Sequence, residues 1–147
     1  MSAAPAGPTG RSKTVATWLA LVGGSLGLHR LYLFGPRDPW AWLHPWPTLV
    51  GAYGLWRMRT WGVDDARGSA LVPLLGVMLA ATMLQAIVYG LTSNERWAAR
   101  YGARPGGAAT WPLVLAVIIA LAAGASIAVA TIAFTAQRYF ESRAAIT

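Results

Sequence analysis

Few of the 147 residues have the types and spacing that chemistry requires. His29 and His44 are the two histidines, and a pair of imidazoles could hold a metal or a haem iron from two sides. No cysteine, carboxylate cluster or attachment motif accompanies them, so the sequence favours structural or interfacial histidines and no cofactor. Asp64 and Asp65 are adjacent, and neighbours along a helix or strand point apart, unlike the facing carboxylates of an acid–base pair. Lys13, the single lysine, follows no strand and Gly-rich turn and is no phosphate-loop lysine. These residues predict a protein that is not an enzyme.

What must position them is a set of apolar helices. Hydrophobic residues make up 56% of the chain and charged residues 12%, about half the roughly 25% of soluble domains. Twelve Lys and Arg against five Asp and Glu give a net charge of +7 through a shortage of acids, with no basic block for nucleic acid to grip. Spread arginines suit lipid headgroups better than nucleic acid. Because a charge at the bilayer centre costs about 2.5–3.5 kcal/mol, long intervals without charge mark membrane segments. There are four: Thr14 to His29 with 16 residues, Pro39 to Trp56 with 18, Gly68 to Asn94 with 27, and Pro105 to Gln137 with 33.

These intervals predict an all-α, polytopic integral membrane protein with about four transmembrane helices, embedded in a lipid bilayer. Ala70 to Leu91 and Pro112 to Thr135 read as complete spans of the required length of about 20 residues. The first interval is too short, and the expectation is that its helix continues through His29 and Arg30 to Phe34. The second, Trp40 to Trp56, carries Pro45 and Pro47, with Pro47 in its first turn; it either spans or re-enters. Trp40, Trp42, Trp46, Trp56, Trp61, Trp97 and Trp111 fall near predicted ends, as an aromatic belt would.

The division expected is a tail at 1–13, a hairpin at 14–65, two further spans at 66–137 joined by a basic, aromatic interfacial connection at 94–110, and a tail at 138–147. In the connection, Trp97, Arg100, Tyr101 and Arg104 follow one helical face before Pro105-Gly106-Gly107. Four spans place both termini on one side, with seven Lys and Arg against five, which favours cytoplasmic termini. Eleven Arg to one Lys, with abundant Ala and Gly, points to a GC-rich genome and a bacterial inner membrane.

On the first helix Ala16, Ala20, Gly23, Gly27 and Arg30 form one stripe, with Gly23 and Gly27 as a GxxxG contact. Ala116, Ala120, Gly124 and Ala128 repeat every four residues on the fourth helix. Both faces fit packing within the monomer more readily than self-association. Thr82, Gln85 and Tyr89 form a polar stripe on the third helix, suited to interhelical hydrogen bonds or, as the rival use, to a permeation path.

The run Gly23-Gly24-Ser25-Leu26-Gly27-Leu28-His29-Arg30-Leu31-Tyr32-Leu33, followed by a brief loop and a second short helix, resembles the TM2 domain family and its Gly-x-His-Arg-aromatic-Tyr-Leu core. Gly27, His29, Arg30, Tyr32 and Leu33 match, whereas Leu31 stands where Phe is usual and Asp64 and Asp65 come later than the family's Asp. The resemblance covers residues 11–65 and implies a two-helix membrane hairpin of undefined biochemical activity. Arg30 is expected to pair with Asp38 or a lipid phosphate. The functional expectation is a structural or interaction component of the membrane, in contact with other membrane proteins; a small transporter or channel subunit and a haem-binding or redox accessory subunit are the rivals.

Overall fold

A computed structural model describes residues 10–102 and 110–144. Most of the expected N-terminal tail, Arg104, the Pro105-Gly106-Gly107 interruption and residues 145–147 lie outside the described residues. Within them the chain is helical, without strands: α1 (Lys13–Gly23), α2 (Leu28–Phe34), α3 (Pro39–Leu43), α4 (Pro45–Trp61), α5 (Ala66–Leu91), α6 (Asn94–Tyr101) and α7 (Trp111–Ala144). Two helices, α5 with 26 residues and α7 with 34, are long and apolar enough to cross a membrane.

The first expected span is not one helix. After α1 a single 3-10 turn, Gly24–Leu26, leads to Gly27 at φ 79°, a left-handed backbone that reverses the chain. α2 then runs back along α1. Tyr32 Oη accepts the backbone N–H of Ser12 at 2.9 Å, and Phe34 reaches Tyr101, next to Trp97, whose indole donates to Arg11 O at 2.7 Å. Residues 12 and 32 therefore lie at the same end. The predicted GxxxG contact is corrected too: Gly23 faces Leu28 of the returning strand of helix, and Gly27 is the turn itself. At about 1.5 Å per residue, the 11 residues of α1 rise only about 16 Å.

The second expected span is longer than predicted. Pro39 and Pro45 open α3 and α4, where the missing N–H leaves no bond unmade, and Pro47 sits in the first turn of α4. His44 between them keeps helical dihedrals, φ −57° and ψ −41°. From Pro39 to Trp61 the path covers about 34 Å, at about 1.5 Å per residue. It runs antiparallel to α5: Gly51 lies against Leu75 and Gly54 against Leu71 and the Gly68 carbonyl, all backbones close enough to exclude a Cβ.

α5 fixes the levels of everything else. Gly54 and Arg57 sit at its start, Gly24 packs on Thr82 in its interior, and Lys13 donates to Thr92 O (2.9 Å) and Asn94 Oδ1 (2.7 Å) just past its end. α7 runs back up, with Trp18 donating to Pro112 O, Gly124 against Met83, Gly76 against Thr131 and Arg138 beside Val63 O and Asp64. The N-terminal and C-terminal ends of the described chain are consequently at opposite ends of the bundle, which corrects the expectation that they share a side. The expected tail from 138 is helical to Ala144, held by bonds from Gln137 and Arg138 to Glu141.

Two of the connections are built alike, in a pattern the sequence reading did not find: Arg-x4-Gly-x2-Asp, at Arg30–Asp38 and Arg57–Asp65. In each, the Gly has positive φ and closes its helix, the Asp N-caps the next helix, and the Arg folds back onto the Asp. The aromatic residue before each Gly lies under its guanidinium, Phe34 at 5.0 Å and Trp61 at 4.3 Å. Arg57 holds Asp65 through two bonds, 2.8 and 2.9 Å, and that contact lowers the carboxyl to about 2.

If Gly27 makes the reversal, Gly27→Ala costs about 1–2 kcal/mol for the left-handed backbone alone, and its Cβ also collides with Ala41 O. Gly102 is left-handed as well, at φ 67°, but a Cβ there meets no described atom within 4 Å. Gly102→Asn is expected to melt within error of wild type in detergent, and Gly27→Ala and Gly27→Asn clearly below it.

Candidate functional site

The polar side chains converge where the hairpin, the end of α5 and α6 meet. Ser93 N-caps α6 by accepting the Arg96 N–H, and Gly102, left-handed, closes it. One face of this short helix is buried by Trp97, 3% exposed, whose indole N–H reaches Arg11 O and whose ring contacts Tyr89 and Tyr101. Trp97 is therefore a core anchor and leaves the predicted interfacial belt, because its one donor finds a backbone carbonyl inside. Trp40, Trp42, Trp46, Trp56, Trp61 and Trp111 remain exposed.

Around that anchor opens a cleft of about 600 Å³, lined by Arg30, Gln85, Tyr89, Arg96, Arg100 and Tyr101 among others. Among the described residues no carboxylate lines it. Arg30 comes from α2 and is fixed by Asp38, with Nε to Oδ2 at 2.7 Å, and by the Phe34 ring. The same contact with Arg30 holds the Asp38 carboxyl below the usual carboxylate range, and the Trp40 N–H adds to the effect. Arg96 and Arg100, one turn apart and exposed, have no ion pair with a described residue; Arg100 lies over Tyr101 at 5.8 Å.

A second, smaller cavity of about 260 Å³ is lined by His29, His44, Thr82, Gln85, Pro47 and Met78 among others. Gln85 borders both cavities. The two histidines meet edge to face at 5.5 Å, and His29, 2% exposed, also contacts Tyr89 at 5.8 Å. His44 Nδ1 bonds the Trp40 carbonyl at 2.7 Å, whereas His29 Nδ1 is buried with no partner among the described residues. Two imidazoles alone offer a metal two ligands, and no described group of three His, Asp or Glu residues gathers here.

Ala16, Ala20, Ala116 and Ala120 are fully buried and Gly124 lies against Met83, so these small residues carry the packing of α1 and α7 on α5. Ala128 is only partly covered. Leu33 is in the core, and Tyr32 packs on it beneath Arg11. In the predicted polar stripe, the Thr82 hydroxyl bonds Leu79 O of its own helix, so that bond is not interhelical. Arg96 joins the site beyond the expected residues; its i, i+4 spacing to Arg100, with Trp97 between them, is the signal the sequence carries.

No family model, curated protein or solved structure matches this chain. If Trp97 docks α6, Trp97→Ala loses about 3–5 kcal/mol of packing. Hydrogen exchange of residues 94–101 should then rise sharply while the middle of α5 and α7 stays protected.

Proposed function

We propose that this is a multi-pass membrane protein that acts without catalysis, as a structural and interaction component of a bacterial inner membrane, with a TM2-like N-terminal hairpin. In this reading α3–α4, α5 and α7 cross the bilayer, and α1–α2 enters from one face and returns from about half depth. The observation that carries it is the apolar surface around the long helices: Val77, Leu84, Ile118, Leu121, Val129 and Ile132 are 54–68% exposed, without a water-facing stripe. All three crossing paths exceed the roughly 30 Å hydrocarbon core. Among the described residues Arg11, Lys13, Arg30, Arg37, Arg96 and Arg100 belong to the N-terminal face, against Arg57, Arg59, Arg67, Arg138 and Arg143 on the other. Six against five favours that face as cytoplasmic, with the C-terminus outside.

A lack of cysteine makes the test direct. In sealed, oriented vesicles, single-cysteine variants Gly10→Cys and Ser142→Cys should react with impermeant maleimide from opposite sides; reaction from the same side rejects the arrangement. A small anion transporter is the second reading, favoured by Gln85 bordering both cavities. A structural component gives no chloride efflux above empty liposomes, whereas a transporter gives efflux that Gln85→Leu abolishes.

A further inference from the structure

We propose that the cleft between the hairpin and α6 binds the phosphate of an anionic glycerophospholipid, with Arg30, Arg96 and Arg100 as its ligands. This rests on the membrane reading above and adds the ligand. Three guanidinium groups line one cleft that no described carboxylate lines. Asp38 takes only Nε of Arg30, and the Nη groups bond no other described residue. Arg96 and Arg100, at i, i+4, repel each other on one helix face, and an anion between them and Arg30 would turn that repulsion into a three-sided attraction. Arginine suits this role because its planar fork matches phosphate oxygens two at a time.

The cleft also has the shape and mixed lining of an amphiphile site. Its volume of about 600 Å³ lies inside the roughly 300–1,000 Å³ range of ligand pockets. Tyr89, Ser93 and Tyr101 offer hydroxyls to a polar headgroup, while Phe34, Val88 and Leu91 on the same lining are 47%, 51% and 71% exposed and form an apolar flank. A free phosphate ion has no use for that flank; an acyl chain does. In the proposed topology the cleft lies at the headgroup level of the face richer in Lys and Arg, where basic pockets between membrane helices meet anionic lipid.

The experiment is native mass spectrometry of the full chain in neutral detergent, with equal amounts of phosphatidylglycerol and phosphatidylcholine. The expected result is at least a tenfold preference for phosphatidylglycerol in wild type, reduced about tenfold in Arg96→Gln/Arg100→Gln. Arg59→Gln/Arg143→Gln, at the other end, should retain the preference. Both doubly substituted proteins change exposed side chains, and unchanged melting in detergent certifies their fold. Equal binding of the two lipids, or a preference that the Arg96/Arg100 variant keeps, overturns the proposal. Wild-type binding of inorganic phosphate that displaces all lipid without headgroup preference assigns the cleft to the free ion and also overturns it. Failure of the membrane reading looks different: the chain would leave the membrane pellet on a carbonate wash, whatever its lipid selectivity.

Discussion

A polypeptide that reverses direction among apolar helices must still find partners for the peptide groups of its turn, and in the proposed membrane setting lipid supplies none. The residues from Gly23 to Gly27 meet that constraint with protein. Ser25 O accepts the Thr48 hydroxyl at 2.8 Å, Gly27 N–H returns to Gly24 O at 2.9 Å, Gly24 presses on Thr82, and Ala41 O covers Gly27. The covering groups come from α3, α4 and α5, so the hairpin can stand only where those helices already pack. The cleft follows as a consequence: a short hairpin that turns back leaves α5 uncovered beside His29 and Arg30, and α6 closes only part of that gap.

The two Arg-x4-Gly-x2-Asp connections act at the opposite ends of the α3–α4 path. Each Asp both caps a helix and holds an arginine, so one carboxylate fixes the direction of the next helix and neutralises a charge near its start. At the far end both side chains of the pair are consumed in this way. At the near end Arg30 keeps bonding capacity, and Arg96 and Arg100 face the same space. One connection is closed structurally and the other is left open to a ligand.

Much of this was legible in the sequence, and the misses have physical causes. Charge-free intervals located α5 and α7, the two helices long and apolar enough to cross a membrane, and Trp97 with Tyr101 revealed α6 through helical spacing. Gly23 and Gly27 misled: four-residue spacing of glycines reads as a packing face, but whether a glycine packs or turns depends on φ, which periodicity does not encode. The 16-residue interval was itself the sign, being too short to cross as one helix. Asp65 looked like half of an idle carboxylate pair, because its partner Arg57 is eight residues away across a turn and no helical period links them. The Arg30–Asp38 pairing was within reach of sequence reasoning; its recurrence at Arg57 was not, since a repeat of nine residues at a 27-residue offset is below what composition or periodicity brings out.

The folded-back hairpin is the element on which the turn, the cleft and the placement of the termini all depend, and it can be measured as a distance. Val15 and Phe34 are 44% and 47% exposed and accept spin labels as cysteine variants in an otherwise cysteine-free chain. Double electron–electron resonance in lipid nanodiscs should give a single short separation between them. A continuous first helix would instead hold them about 28 Å apart, at about 1.5 Å per residue, and a distribution centred there contradicts this account.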